Sequence, residues 1–357
     1  MPEPLRIAHV INSLATGGAE TLVVDLANEM RTAGHQVTIF TIGRSAGVPL
    51  ASAHRLGIAV VALGASPYDP RAALRLRKHL SGMDIGHVHL FPSLYFAPIG
   101  SRRLPLVYTE HSTWNRRRSS PAFRLADRFF YKRYRAIVAI SEGVRETLSG
   151  YLARIHVVRD IPVVANGISE RFFALRRPRA LEGPPRLVAV GNLDARKNFA
   201  DAVKAVARIP HVTLTIVGEG PEREALSSLI RSLDLGDRVT LAGLSDDVAG
   251  ILDQHDALIS TSRFEGFSLV AAEAMAMGLP VIGPNVEGFR DSVIDGVSGV
   301  LFDQNEGIEG ICRAVSAVTT NVVRYAELSE GAARNAERFR ASESARKYLD
   351  IYAGLTH

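Results

Sequence analysis

Two glutamates frame the stretch Ser262 to Pro280, SRFEGFSLVAAEAMAMGLP, where residue types and spacing suit chemistry. Glu265 stands before a turn and Glu273 in the run after it, with seven residues between them. Gly266 lets the backbone approach a ligand. Ser268 suits a helix N-cap. Leu269 to Met277 is rich in Ala and Met, good helix formers. Gly278 falls where a left-handed residue closes a helix, and Pro280 forbids continuation. A helix opening on such a turn presents free N–H groups and the positive end of its dipole, which suit a phosphate. Glu273 lies five residues past Ser268, ~7.5 Å along the axis at 1.5 Å per residue. That matches the span from a pyrophosphate to the ribose hydroxyls of the same nucleotide. Glu265 lies on the other side, where a group carried by the phosphate would sit. The spacing predicts a nucleotide diphosphate with a substituent, held between two carboxylates.

The elements that must position these groups alternate along the chain. Apolar runs at Leu5–Ile11, Gln36–Ile42, Ala59–Leu63, Ile85–Leu90, Leu106–Thr109 and Ala136–Ile140 read as buried strands, with helical stretches between several of them. A first loop, SLATGGAE, leads into a helix over Thr21–Ala33, and no Gly-x-Gly-x-x-Gly fingerprint opens it. Arg176–Pro185, RRPRALEGPP, is a composition shift. After it the theme repeats: a strand at Arg186–Val190, the loop GNLDARKN, a helix from about Asn198, and strands at Val212–Val217, Val239–Ala242, Asp256–Ser260 and Val281–Ile282. Gly307–Val318 and Ala332–Ala353 read as helices. Alternating strands and helices predict doubly wound parallel sheets, which bind ligands outside the carboxyl ends of their strands. His111 follows the strand Leu106–Thr109 at such an end, whereas His9, His87 and His89 sit inside apolar strands and read as core histidines.

Composition agrees with an ordinary globular chain. Its 357 residues suit two domains of ~150, and 46% hydrophobic with 22% charged residues excludes disordered and collagen-like classes. The single cysteine, Cys312, excludes an internal disulfide and fits a reducing compartment. No signal peptide is visible, and no apolar run approaches the ~20 residues of a membrane span. A cytoplasmic location is expected. The net charge of +5 favours an acidic partner. Trp114 to Arg135 concentrates that charge in Arg116, Arg117, Arg118, Arg124, Arg128, Lys132, Arg133 and Arg135, interleaved with Phe123, Phe129, Phe130, Tyr131 and Tyr134. It reads as a surface for anionic lipid or a lipid-phosphate acceptor, giving peripheral attachment at the inner membrane face, or as a helix with a solvated basic face over an aromatic core face. No nucleic-acid module accompanies the charge, so no nucleic-acid partner is expected.

The segment EGFSLVAAEAMAMGLPVI, with the Glu265/Glu273 spacing and the Gly-Phe after the first Glu, resembles the signature of the retaining glycosyltransferases of family 4. The resemblance covers nearly the whole chain. It implies the GT-B architecture: α/β, two facing Rossmann-like domains, with a C-terminal helix crossing back to the first. Residues 1–170 would be the acceptor-binding domain, 171–185 a linker, 186–335 the nucleotide-sugar donor domain and 336–357 the returning helix. It implies that Gly17 and Gly18 line the donor or acceptor region, that His111 contacts the transferred sugar, and that Lys197 binds the donor diphosphate. Family members carry an Arg directly after the glycine of GNLDARKN, where this chain has Asn192, so Arg196 is the candidate to supply that charge. Gly218 and Gly243 would border the nucleotide. Gly266, Phe267, Ser268 and Leu269 would hold the phosphate, Glu265 the sugar and Glu273 the ribose. Asp291 stands where Glu is more usual, and Ser169 where Asp is. The implied reaction moves a sugar, with retention, from a UDP- or GDP-sugar to a saccharide or lipid-linked acceptor. No cofactor beyond this co-substrate is expected. No metal is expected either, since Asp246 and Asp247 are adjacent and their side chains would diverge. The competing readings are a non-catalytic nucleotide-sugar-binding scaffold and a nucleotide-sugar epimerase or dehydrogenase, against which the missing dinucleotide fingerprint argues.

Overall fold

The structure, a computed structural model, describes residues 3–15, 17–101, 103–113 and 115–356, the side chain of Arg116 excepted. It divides into two compact units, Met1–Gly167 with Phe339–His357, and Ile168–Arg338. In the first unit β1 (Arg6–Ile11), β2 (Gln36–Thr41), β3 (Ala59–Ala62), β4 (Ile85–His89), β5 (Leu106–Glu110) and β6 (Ala136–Ala139) form one sheet, ordered β3-β2-β1-β4-β5-β6. In the second, β7 (Arg186–Val190), β8 (Thr213–Val217), β9 (Val239–Gly243), β10 (Ala257–Ile259), β11 (Val281–Pro284) and β12 (Gly299–Phe302) are ordered β12-β11-β10-β7-β8-β9. All pairings are parallel. Counted from its own first strand, each sheet reads 3-2-1-4-5-6, the Rossmann order. The α/β fold class expected from the sequence is the one observed.

Central strands covered on both faces need continuous apolar runs. β4 is buried at every position and β10 likewise. β12 was not visible in the sequence, because its four residues follow a turn-rich stretch, DGVS, and lie at a sheet edge. The stretch read as a linker is bound to the second unit. Arg176 Nε donates to the carbonyl of Ala276 at 3.1 Å, Arg179 Nε to that of Met277 at 2.9 Å, and Arg177 Nε to Asp253 at 3.1 Å. Arg176 and Arg179 occupy the open carbonyl end of the helix Leu269–Ala276, where cations are favoured, and Arg177 the end of the helix Val248–Asp253.

The helix expected over Ala332–Ala353 is two helices, Val322–Ala336 and Ala341–Thr356, separated by the short turn Glu337–Phe339. The boundary between units falls in that turn. No Gly or Pro marks it, so local propensity reads straight through. The last helix belongs to the first unit and packs on Gly18–Thr32. Its Ala345, Tyr348 and Tyr352 join Ile7, Ile11, Ile85 and Val107 in that core. The Tyr352 hydroxyl lies 2.6 Å from His87 Nδ1, and the Tyr348 hydroxyl 3.0 Å from Thr109 Oγ1. Tyr352→Phe would leave a buried ring nitrogen unpaired, so the first unit should lose about 1–3 kcal/mol. The check is the midpoint of its unfolding in urea. An unchanged midpoint would show that the hydroxyl contributes nothing.

Candidate functional site

In an open parallel sheet the crevice for ligands opens where neighbouring strands are reached by crossovers running in opposite directions. In the second unit those neighbours are β7 and β10. The loop after β7 carries Lys197 and the loop after β10 carries Glu265, and their side chains form an ion pair. Lys197 is 23% exposed and Glu265 15%. Ser262 Oγ donates to Glu265 at 3.0 Å. The loop after β10 is stitched onto backbone carbonyls of the loop after β7: Thr261 Oγ1 donates to the carbonyls of Lys197 and Asn198 at 3.1 and 2.9 Å, and the Arg263 N–H to the carbonyl of Arg196 at 2.8 Å. Two residues 68 apart in sequence thus share one partly buried site.

Arg196 is turned to Asp194, with Nη2 donating at 2.7 Å, and is mostly exposed. That contact holds the guanidinium above its ordinary pKa and the Asp194 carboxyl below its own, after burial opposes each. Asn192, in the position where an Arg was expected, is exposed. Of the two cations singled out here, Lys197 is the one paired with the first motif glutamate.

The motif helix runs Leu269–Ala276, with Ser268 at its N-cap position and Gly278, φ +79°, closing it. Ser268 does not cap with its hydroxyl, so the first N–H groups keep their capacity for an anion. Ala271, Ala272, Ala274, Met275 and Ala276 are buried, whereas Glu273 is partly exposed. Phe267 is buried, and Gly266 is partly so. A residue missed in the sequence is Gly288. A Cβ there would come 2.2 Å from the carbonyl oxygen of Glu265, so only glycine lets this turn sit where it does. Gly218 has a similar reason, distinct from the expected approach to a nucleotide. Its φ is +145°, and a Cβ would lie 1.9 Å from the carbonyl oxygen of Gly191 in the Lys197 loop. Gly243 ends β9, its carbonyl accepting from the Gly218 N–H at 2.8 Å. Asp291 follows the short helix Glu287–Arg290, and Ser169 precedes Glu170–Ala174. Asp247 caps the helix Val248–Asp253 through the Gly250 N–H at 2.8 Å.

In the first unit the corresponding neighbours are β1 and β4. Asn12, missed in the sequence, joins their loops: Nδ2 donates to the Phe91 carbonyl at 2.5 Å, and Oδ1 accepts from Ser93 Oγ at 2.8 Å. Gly17 precedes the helix Gly18–Thr32 in extended conformation, and Gly18 is its exposed first residue. His111 directly follows β5 and is partly buried. Its Nε2 lies 3.1 Å from His89 Nδ1, and His89 Nε2 lies 3.0 Å from His9 Nδ1. The expected core histidines are buried, and they lead to His111. Among the described residues, His9, His87 and His89 are the one grouping with metal-ligand spacing. Five of their six ring nitrogens already have protein partners.

The basic stretch needs correction as a continuous surface. Trp114 and the side chain of Arg116 lie outside the described residues. Arg117 and Arg118 are buried and form ion pairs with Asp127 and Glu110. Asp127 also accepts from the hydroxyls of Tyr95, at 2.5 Å, and Tyr151. A buried guanidinium persists only with such compensation, and removing one partner of a buried pair costs about 3–5 kcal/mol. Tyr131 and Tyr134 are core residues. Arg124, Arg128, Lys132, Arg133 and Arg135 are exposed, together with Leu125 and Phe129.

Burial lowers the histidines. His9 is held down to about 3 and His111 to about 4, the latter against an opposing pull from Glu110. His87 and His89 are well below the ordinary value through burial and their neighbouring rings. Between pH 4 and 6.5 the unfolded chain takes up protons that the folded rings refuse, so acid favours unfolding. The first unit should therefore lose on the order of a few kcal/mol as pH falls from 6.5 towards 4. Urea midpoints across that range check this. A flat profile would remove the histidines as its cause, and a His9→Phe variant with the same slope would remove His9 from among them.

The family model described as glycosyl transferases group 1 matches residues 172–338, and the one described as glycosyltransferase family 4 matches residues 16–172. N-acetyl-alpha-D-glucosaminyl L-malate synthase of Bacillus anthracis is 26% identical over 363 residues, covering 95% of this chain and 94% of that protein. Glycogen synthase of Mycobacterium tuberculosis is 28% identical over 361 residues, covering 88% and 85%. The solved structure of Anabaena Alr3699/HepE in complex with UDP aligns with a TM-score of 0.84 at 19% identity, over 98% of this chain and 100% of that one, a likeness of fold. The two family models together run from residue 16 to 338, and the chain belongs to the family 4 glycosyltransferases of GT-B architecture.

Proposed function

We propose that this glycosyltransferase moves a sugar from a nucleotide-diphosphate sugar to a hydroxyl of a saccharide or lipid-linked saccharide, with retention of configuration and without a metal ion. The observation that carries the reading is the Lys197–Glu265 pair beside the helix Leu269–Ala276, at the reversal point of the second sheet. An ammonium and a set of helix-end N–H groups are what a departing diphosphate needs. The solved structures of Alr3699/HepE hold UDP or UDP-glucose, which supports a uridine donor as the first to test, ahead of GDP-sugars.

In the step itself, the bond from the anomeric carbon to the diphosphate oxygen breaks, and the electron pair leaves with the nucleotide. Lys197 and the N–H groups at the start of the helix stabilise that charge, with Arg196 nearby. The acceptor oxygen bonds to the anomeric carbon, and its proton passes to the departing phosphate. Glu265 exchanges its ammonium partner for sugar hydroxyls when the diphosphate takes Lys197. Glu273 holds the ribose, and His111 contacts the sugar. Retention rests on family membership. The metal-free reading rests on this positive charge and on Asp247 being engaged as a helix cap.

Thermal unfolding with UDP, GDP, ADP and CDP tests the site. A ligand at 100 times its dissociation constant adds ~2.7 kcal/mol, or several degrees at ~2–4 °C per kcal/mol. One nucleotide should shift the wild type and fail to shift Lys197→Ala. Lys197→Ala, Glu265→Ala and Glu273→Ala should each lower transfer at least tenfold with the fold intact, and the wild-type rate should persist in excess chelator. Binding without turnover would identify a scaffold instead, and loss in chelator restored by magnesium would end the metal-free reading.

A specific observation also favours attachment to an anionic membrane surface. Arg124, Leu125, Arg128, Phe129 and Lys132 recur at helical spacing along one face of Pro121–Tyr131 and its end, with Leu125 76% and Phe129 56% exposed. Exposed apolar groups among cations fit a lipid headgroup region. Each cation near such a surface contributes ~1 kcal/mol. Arg124→Gln with Arg128→Gln should thus weaken sedimentation with phosphatidylserine vesicles roughly 30-fold. Unchanged, salt-insensitive sedimentation would leave only a solvated helix face.

A further inference from the structure

Strand register gathers four histidines on one face of the first sheet. His9 of β1 pairs with His87 of β4, and His89 of β4 with Thr109 of β5. Residues two apart on a strand share a face, which adds His111 beyond the end of β5. Three of these rings form a line of two nitrogen contacts, His9 Nδ1 to His89 Nε2 at 3.0 Å and His89 Nδ1 to His111 Nε2 at 3.1 Å. His87 stands apart from the line, its nitrogens at 2.7 Å from Thr109 Oγ1 and 2.6 Å from the Tyr352 hydroxyl.

A neutral imidazole carries one N–H. Burial keeps all three rings neutral near pH 7. Two of their three protons are used in the two contacts. The third must end on His9 Nε2 or on His111 Nδ1. His9 Nε2 is buried and has no partner. A proton there would be an N–H buried without an acceptor, which is rarer in folded proteins than an under-used acceptor. His111 is only partly buried, so a proton on its Nδ1 can reach water or a ligand. The N–H groups therefore run one way, from His9 to His89 to His111.

We propose that His89 is a positioning residue that holds His111 as the Nδ1–H tautomer, so that this ring donates a hydrogen bond to a hydroxyl or ring oxygen of the transferred sugar. His9 occupies the far end of the line and turns an N–H onto His89 Nε2. The proposal rests on the reading of His111 as a sugar contact. It assigns that contact a direction: His111 is a donor, and its ligand atom is an acceptor.

The test is the tautomer itself, read by long-range 15N–1H NMR on full-length protein labelled with 15N-histidine, with the His111 signals identified by their loss in His111→Asn. His111 should show a protonated Nδ1 and an unprotonated Nε2 at neutral pH. A protonated Nε2 in the wild type overturns the proposal. In His89→Leu the His111 ring should leave the pure Nδ1–H form, and kcat/KM should fall about tenfold. In His89→Asn, whose amide N–H can stand near the lost Nδ1, both should recover. A His111 that stays Nδ1–H in His89→Leu overturns the positioning role. If the tautomer responds as expected while transfer is unchanged in both His89→Leu and His111→Gln, the reading of His111 as a sugar contact is what fails.

Discussion

The constraint on which the second unit depends is the reversal of winding between β7 and β10. Adjacent parallel strands normally send their chains off to the same side. At this one place they diverge, and the two carboxyl-end loops are left side by side with no helix between them. Lys197 and Glu265 meet for that reason. The contact is held by bonds to backbone carbonyls: Thr261 Oγ1 on those of the Lys197 loop, the Arg263 N–H on that of Arg196, and Gln304 Nε2 on that of Ser262 at 2.9 Å. Glycines 218 and 288 then let neighbouring backbones close to distances that any side chain would prevent.

The first unit solves a different problem, the burial of polar side chains at the end of β5. Alternation along the strand sends Glu110 to one face and Thr109 and His111 to the other. On the first face, charge is cancelled by charge: Arg118 with Glu110, and Arg117 with Asp127 and its ring of tyrosines. On the second, charge is avoided, and neutral rings pass hydrogen bonds from one to the next. Both arrangements fix the segment that carries His111. The second also draws the last helix into the unit, since Tyr348 and Tyr352 satisfy Thr109 and His87.

Much of this was legible in the amino-acid order because it is local. The apolar runs marked eleven of the twelve strands, the Gly278 and Pro280 pair closed the motif helix, and the spacing of Glu265 and Glu273 suggested a nucleotide diphosphate with a substituent, which the family resemblance made a sugar. Local signals also misled where the deciding partner was remote. Arg117 and Arg118 read as surface cations because Asp127 and Glu110, their partners, are ordinary residues at ordinary spacing. The chain through 337–340 read as continuous helix because nothing in its residues forbids one. Ser268 has the right side chain for a cap and takes the cap position, but its hydroxyl is not used there.

By itself the sequence determined the α/β class, the paired doubly wound units and the motif helix, since propensity and periodicity act over a few residues, and its motif carried the family resemblance. Only the tertiary structure decided that Lys197 and Glu265 are partners, that Tyr348 and Tyr352 of the last helix satisfy Thr109 and His87, and that His9 and His89 lead to His111. Those contacts join residues from 22 to 265 positions apart. No local preference encodes them. They follow from strand order, register and the requirement that a buried polar group find a partner.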